Sequence, residues 1–138
     1  MSDMARFSYH APDERTLMPF IPVFLEARGQ RIPSAALLDS GATVNVFPRF
    51  IGTQLNLNWD DYANYQVELG GVLKGVQARY VPVNILLGSL PPTKLIFAWA
   101  QTDEVPFILG NMNFFQKFDV CFSRLRNEIT VRVAKAAK

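Results

Sequence analysis

One acidic residue stands between an apolar run and a glycine turn, in the stretch Ala-Leu-Leu-Asp-Ser-Gly-Ala-Thr over residues 36–43. Burying a lone carboxylate is costly unless it is paired or hydrogen-bonded. Gly41 allows a tight turn that brings backbone amides close to the Asp39 carboxylate, and the Ser40 hydroxyl can fix the loop through backbone hydrogen bonds. The pattern predicts an acid presented at the tip of a rigid loop, where it can donate or accept protons.

The other residues that could do chemistry give weaker signals. Asp60-Asp61 and Asp103-Glu104 fall in polar loops, where acids usually face water. His10 is the only histidine and lies in a polar N-terminal segment, which disfavours Ser-His-Asp and Cys-His chemistry. Cys121 is the only cysteine, so the chain has neither an internal disulfide nor a cysteine cluster for zinc. Asp-Ser-Gly is itself also an ordinary turn sequence, so a plain turn stays an alternative.

The elements that would position Asp39 read as short strands. Phe20 to Ala27 alternates apolar residues on one side, Arg28 to Arg31 is a glycine hairpin signal, and Ile32 to Leu38 is the return strand that delivers Asp39. Many short strands with regular turn signals indicate a mostly β domain. Further expected elements are a short helix at Phe50–Leu55 after Pro48, strands at Gln66–Leu69, Val76–Leu87, Lys94–Ala100 (buried on both faces) and Val105–Leu109, a helix from Asn111 as N-cap through Phe118, and a closing hairpin of Val120–Phe122 with Glu128–Val133.

Composition narrows the function classes. The chain has 138 residues, of which 49% are hydrophobic and 19% charged, which fits one globular domain with a substantial core. A net charge of +2 with interspersed signs does not indicate nucleic-acid binding. No apolar run predicts a membrane span, and no leader is evident, so a cytoplasmic protein is the expectation. We expect a loosely ordered polar arm over residues 1–17, the domain over 18–134 and a basic tail over 135–138.

Three motifs occur in a characteristic order: Asp39-Ser40-Gly41-Ala42, then Gly71-Val72-Leu73-Lys74-Gly75-Val76, then Ile108-Leu109-Gly110. From about Phe20 to Val133 the chain resembles the retropepsin-like aspartic proteases, which include retroviral proteases, the protease-like domain of DNA-damage-inducible ubiquitin-shuttle proteins, and bacterial single-domain relatives. The second and third motifs look closest to the shuttle-protein branch. The resemblance implies a closed, barrel-like β domain with a flap hairpin and one or two short helices.

The resemblance also implies roles for single residues. Asp39 would be the catalytic aspartate, Ser40 would hold the two loops of a dimer together, and Gly41 and Ala42 would line the cleft. The flap over the substrate would comprise Gly70, Gly71, Val72, Leu73, Lys74 and Gly75.

Two positions depart from the retroviral pattern. Thr43 stands where those proteases have an acid, and Asn111 stands where they have the arginine that pairs with it. Both charges are missing together, so no orphan buried charge is left, but the dimer loses that contact. In relatives the chain ends form an intersubunit sheet, and here the alternating Ile129, Val131 and Val133 would present an apolar face to the partner.

Aspartic proteolysis needs two carboxylates about 3 Å apart that share one proton. One chain offers one Asp-Ser-Gly, so the second must come from an identical chain across a two-fold axis. The expectation is a homodimeric aspartic endopeptidase that acts on protein or peptide substrates without metal or cofactor, and without nucleic-acid or membrane partners. The alternatives are a dimeric retropepsin-like peptide-binding or scaffold domain without proteolysis, and a β domain with a chance Asp-Ser-Gly turn.

Overall fold

The computed structural model describes residues 3–9 and 18–135. His10 and the last three residues of the basic tail lie outside these ranges. The elements are β1 (Met4–Ser8), β2 (Phe20–Ala27), β3 (Gln30–Leu38), β4 (Asn45–Phe47), α1 (Arg49–Gln54), a 3-10 segment (Trp59–Tyr65), β5 (Gln66–Glu68), a 3-10 turn (Gly71–Leu73), β6 (Gln77–Leu86), β7 (Thr93–Ala100), β8 (Ile108–Leu109), α2 (Phe114–Lys117), β9 (Phe118–Ser123) and β10 (Glu128–Val133).

Seven strands form one sheet that closes on itself. Their order is β2-β3-β8-β4-β7-β6-β5, and β2 also pairs with β6, so six strands complete a barrel while β5 extends beyond it as one arm of a hairpin. Most pairs are antiparallel, whereas β3–β8 and β4–β7 are parallel. The predicted mostly β fold with a closed barrel and few short helices is confirmed.

The hairpin that leads to Asp39 forms as its sequence predicts. Ile21, Val23 and Leu25 are buried on the inner face of β2. The turn to β3 has positive φ at Arg28 (49°) and Gly29 (77°), the backbone that suits the twist of a two-residue hairpin loop. The alternation therefore fixes which side of the hairpin faces the core, and the turn sets the register that places Asp39 at the end of β3.

Aromatic rings fill the centre of the barrel. Phe47 stacks on Phe97 with ring centroids 5.0 Å apart, and Phe107 meets both rings edge-on. A second, smaller cluster that includes Val46, Ala98 and Ile108 lies toward the hairpin formed by β5 and β6. The strands that carry the Asp39 loop are thus anchored in apolar packing on both sides of the sheet.

Three sequence-based expectations need correction. Strand β7 is not buried throughout, because Ile96 is 42% exposed. Strand β8 is only two residues long rather than five. The second helix begins at Phe114 with Asn113 as its N-cap, rather than after Asn111, because Met112 forms a β-bridge with Val44 and its carbonyl accepts from the Asn45 amide (3.2 Å) instead of from a helix amide.

The chain termini form a separate three-stranded sheet. Its order is β1-β10-β9, so Met4–Ser8 is a strand and the loosely ordered arm predicted there is wrong for these residues. Ile129 and Val131 are fully buried against the chain's own core, so they do not present the apolar face to a partner that their alternation suggested. Within residues 3–9 and 18–135, no helix is long and apolar enough to cross a membrane.

Candidate active site

Asp39 lies in a loop at the end of β3 and takes part in three of the hydrogen bonds that hold this loop. Its amide donates to the Leu109 carbonyl (3.0 Å), and its carbonyl accepts from the Ala42 amide (3.0 Å). The Gly41 amide donates to the carboxylate oxygen Oδ1 (2.9 Å). A Cβ at Gly41 would lie 3.2 Å from the same oxygen, so glycine permits this close approach. The half-buried carboxylate is therefore fixed in direction by its own loop, as the sequence predicts.

The segment after β8 crosses behind this loop at close range. The Asn111 amide donates to the Ala42 carbonyl (2.9 Å), and the Met112 amide donates to the Thr43 carbonyl (2.8 Å). A Cβ at Gly110 would lie 2.5 Å from the Val44 carbonyl oxygen, a contact that no side chain can make. Gly110 is thus required for the crossing, which explains why the third motif ends in glycine.

Asn45 is the residue of the site that sequence reasoning missed. It is fully buried, its Oδ1 accepts from the Gly110 amide (2.8 Å), and its Nδ2 donates to the Ile96 carbonyl (3.0 Å) and to Oδ1 of Asn113 (3.2 Å). Its amide thereby joins β4, β7 and the segment after β8. The sequence did contain one signal for this role, a single amide side chain within a β-branched and apolar run. An amide buried in such a run needs hydrogen-bond partners, so it indicates a contact with another segment.

The predicted flap is the tip of the β5–β6 hairpin. Positive φ occurs at Gly71 (61°) and Gly75 (92°), and the Leu69 amide and Val76 carbonyl close the tip at 2.8 Å. A short 3-10 turn replaces the plain hairpin loop that the glycines suggested. Val72 is completely exposed, whereas Leu73 packs on the apolar cluster beside the Asp39 loop. The tip is therefore anchored by one side chain and presents another outward.

The loop and the flap tip line one cavity of about 410 Å³. Of the residues predicted from the sequence, Asp39, Gly41 and Ala42 line this cavity together with four flap residues, Gly70 to Leu73. The predicted residues Ser40, Lys74 and Gly75 are not part of the lining, and Ser40 is exposed. We call this cavity the cleft; its lining is Asp39, Gly41, Ala42, Thr43, Val44, Val46, Leu69, Gly70, Gly71, Val72, Leu73 and Ile108.

A second, larger cavity of about 730 Å³ adjoins the cleft. We call it the side groove; it is lined by Val44, Tyr62, Tyr65, Tyr80, Val81, Pro82, Ile96, Met112, Asn113 and Gln116. Val44 lines both cavities, so the two share a wall. None of the ten lining residues carries a formal charge at neutral pH.

Two solved structures resemble this one over most of its length. A retropepsin-like aspartic protease from Rickettsia conorii matches with a TM-score of 0.62 at 10% identity, covering 94% of this chain and 99% of its own. The chain has the retropepsin-like fold. EIAV protease complexed with the inhibitor HBY-793 matches with a TM-score of 0.51 at 22% identity, covering 73% of this chain and 88% of its own.

Among the comparisons with known proteins, only the solved structures show the retropepsin-like fold. No protein-family model and no curated protein sequence matches the chain. The two neighbours include a viral and a bacterial protease, and the closer resemblance to the shuttle-protein branch stays a prediction.

Proposed function

We propose that the protein is an aspartic endopeptidase that acts as a homodimer, with Asp39 as the catalytic residue of each chain. The observation that supports this most directly is a carboxylate fixed by the Gly41 amide at 2.9 Å and facing a cleft that a glycine-rich hairpin covers. The fold of two neighbouring aspartic proteases agrees with it. Function is carried by the site rather than the fold, so the proposal depends on Asp39.

The need for a second chain follows from the contents of the cleft. Asp39 is the one residue with an ionisable carboxyl group among those that line the described cleft. Two carboxylates at about 3 Å share one proton, because like charges at that distance do not both ionise. We infer that the second carboxylate is the same residue of an identical chain, related by a two-fold axis.

Each part of the site then has a role in peptide hydrolysis. The ionised carboxylate of the pair takes a proton from water, and the protonated one donates to the carbonyl oxygen of the scissile peptide. Gly41 and Ala42 leave room for an extended substrate backbone, and the flap Gly70 to Gly75 closes over it and excludes water. Ser40 is exposed next to Asp39, where its hydroxyl can bond the partner's loop. We expect no metal or cofactor to take part.

We expect dimer contacts other than those that the sequence suggested. The inward face of β10 is used within the chain, which leaves the Ser40 loop and the outer edges of the β1-β10-β9 sheet for association. Phe122 and Val133, each 42% exposed, add apolar area to that sheet. Removing β10 would open the core, so truncation before Glu128 would test folding rather than association. The cytoplasmic location also stays a prediction.

The deciding experiment is a peptide-library cleavage profile of the wild type beside Asp39→Asn. The variant changes one oxygen to an amide nitrogen, so it should keep the fold and lose all turnover. Unchanged turnover in Asp39→Asn would remove Asp39 from the mechanism. Peptide binding without cleavage by the wild type would favour the scaffold alternative instead.

The pH profile gives a second criterion. Hydrolysis needs one proton on the carboxylate pair, so activity should fall at low pH, where both are protonated, and at high pH, where both are ionised. The two apparent constants belong to the pair. A rate that stays constant from acidic to neutral pH would argue against a shared proton.

A further inference from the structure

One large hydrophobic side chain is almost fully exposed at a place far from the cleft in the fold. Leu125 is 95% exposed, and in the described part of the chain only Val72 of the flap, at 100%, is a more exposed large hydrophobic residue. Leu125 lies in the loop between β9 and β10, and we call residues 124–127 the hairpin tip. A single exposed leucine is common on protein surfaces, so its surroundings decide whether it has a role.

Hydrogen bonds hold the backbone of the hairpin tip in place. The Asn127 amide donates to the Arg124 carbonyl (3.3 Å), and the Arg126 amide donates to the Ser123 hydroxyl (3.3 Å). The Tyr9 amide, directly after β1, donates to the Asn127 carbonyl (3.1 Å) and ties the tip to the neighbouring strand. The hairpin tip therefore projects its leucine from a fixed turn.

Arginines flank the exposed leucine on both sides. The Arg124 guanidinium lies 4.8 Å from the ring centroid of Tyr9, a cation–π arrangement that holds one positive charge beside the leucine. Arg126 is exposed on the other side. The acid that follows it in the chain, Glu128, lies 4.0 Å from Arg6 and so is engaged with another cation. The tip thus combines an apolar apex with two positive flanks.

The charge of the protein is unevenly distributed in the same direction. Described residues 18–117 carry seven basic and seven acidic side chains. Residues 3–9 and 118–135, which form the β1-β10-β9 sheet and its flanks, carry five basic and three acidic ones. The positive excess of the described chain therefore belongs to the sheet that ends in the hairpin tip, and it favours an anionic partner at this end of the molecule.

An anionic lipid surface suits the hairpin tip better than a protein or a nucleic acid does. A stable protein interface draws on about 20–30 residues a side, whereas the tip is a protruding turn of four. The phosphates of a nucleic acid would attract the arginines but would leave Leu125 in water. A bilayer accepts a protruding turn, because the leucine enters the acyl boundary while the arginines stay among the headgroups.

We propose that the hairpin tip attaches the protein peripherally to membranes that contain anionic lipids, with Leu125 inserted and Arg124 and Arg126 at the headgroups. The sequence pattern indicated no membrane partner because it was searched for an apolar span, and this attachment needs none. One leucine and two arginines give weak, reversible binding, which screening by salt reduces further. The inference concerns where the protein binds and does not rest on the proposed peptidase activity.

The test is co-sedimentation of the full chain with vesicles at low salt. Vesicles of phosphatidylcholine and phosphatidylserine in equal amounts should bind the wild type, and vesicles of phosphatidylcholine alone should bind it much less. Leu125→Ser should weaken binding to the mixed vesicles by roughly tenfold or more. Arg124→Gln combined with Arg126→Gln should weaken it by roughly fivefold per arginine. Leu125→Phe should keep the binding, since phenylalanine also enters the interface.

The matched control is Arg28→Gln combined with Arg49→Gln. Both arginines are exposed and lie outside the terminal sheet, so the variant loses the same two charges and should bind as the wild type does. Equal loss in this control would show an effect of net charge and overturn the proposal. No binding by the wild type, or unchanged binding by Leu125→Ser, would overturn it as well. A lower oligomeric state of Leu125→Ser in sedimentation, with vesicle binding unchanged, would assign the tip to a second copy instead.

A label at the apex measures insertion directly. Cys121 is the only cysteine and is exposed, so Cys121→Ser combined with Leu125→Cys carries one environment-sensitive nitrobenzoxadiazole group at the tip. Its emission should shift to the blue and brighten when the mixed vesicles are added. The same label on Arg28→Cys in the Cys121→Ser chain should not respond. An equal response at both positions, or none at the tip, would refute insertion, and neither measurement needs turnover of a peptide.

Discussion

The substitution Asn45→Asp tests the residue that joins the Asp39 loop to the barrel. Aspartate keeps the Oδ1 acceptor, which in the wild type lies 2.8 Å from the Gly110 amide nitrogen, but it replaces the Nδ2 donor by a second oxygen. That oxygen would face two other acceptors, the Ile96 carbonyl at 3.0 Å and Asn113 Oδ1 at 3.2 Å. Two satisfied contacts thus become two repulsive ones in a fully buried place.

Losing the Nδ2 donor and placing an unpaired carboxylate oxygen in the same buried position each cost about 1–3 kcal/mol, so the loss is about 2–6 kcal/mol before the structure relaxes. Domains of this kind are stable by about 5–15 kcal/mol, so the change is a large fraction of the total. For a chain of this length it should lower Tm by about 10 °C or more. Activity should fall as well, because Gly110 and Asn111 hold the loop of Asp39.

The sign of the pH dependence follows from burial. Desolvation and the facing acceptors raise the pKa of the introduced carboxyl in the folded state above its value in the unfolded chain. The stability lost by ionising this carboxyl group is therefore largest at pH values above its pKa in the folded state. The loss shrinks as the pH falls below that pKa and vanishes below the pKa in the unfolded chain, about 3.9. The protonated carboxyl can also donate one of the two lost hydrogen bonds.

Thermal unfolding by circular dichroism at pH 7 and pH 4 measures the effect. The Tm difference from wild type should be clearly smaller at pH 4. Asn58→Asp is the control, because Asn58 is exposed and its Oδ1 accepts from the Asp60 amide, a capping role that aspartate fills equally well. A Tm difference for Asn45→Asp that is the same at both pH values, or no larger than that of the control, would refute the reasoning.

Three further outcomes are expected. Gly110→Ala should destabilise the fold by about 1–3 kcal/mol in urea unfolding, because the added methyl group would lie 2.5 Å from the Val44 carbonyl oxygen; wild-type stability would show that the crossing relaxes freely. Gly71→Val should reduce turnover far more than Tm, because valine strains the flap backbone at φ 61° while its side chain meets no neighbouring atom. Hydrogen exchange should show that the wild-type flap opens before the strands, and a flap as protected as the strands would contradict its assignment. Specific activity should fall on dilution, because the proposed active site needs two chains, and depend little on salt, because the proposed dimer lacks the acid–arginine pair. A fully active monomer in sedimentation would contradict the need for two chains.

Much of the fold could be predicted because its signals are local. Alternation in β2 and the glycine at position 29 specify a hairpin without reference to the rest of the chain. The β9–β10 hairpin includes the residues expected, although β9 already begins at Phe118, which was expected to end a helix. The Asp-Ser-Gly loop also carries its own geometry, since the Gly41 amide and the Asp39 carboxylate are two residues apart. Order and spacing of the motifs then sufficed to indicate a retropepsin-like architecture.

The rest depended on contacts between residues far apart in the chain. Asn45 and Gly110 are 65 residues apart, and a pattern read one segment at a time cannot show that the amide of one needs the side chain of the other. The helix expected after Asn111 starts later because Met112 pairs with Val44, a residue 68 positions earlier, and its carbonyl accepts from the Asn45 amide. The polar start of the chain gave no sign that Met4–Ser8 would pair with β10.

The sequence by itself determined the acid, the turn that presents it, and the alternating strands, because each depends on neighbouring residues. Only the tertiary structure decided that the flap and Asp39 line one cleft, that Ile129 and Val131 belong to the chain's own core, and that an uncharged groove adjoins the cleft at Val44. The cleft and the groove depend on closure of the barrel, which brings together strands that are far apart in sequence and is a property of all six strands at once. The burial of Ile129 and Val131 depends on the packing of the separate β1-β10-β9 sheet against the main core.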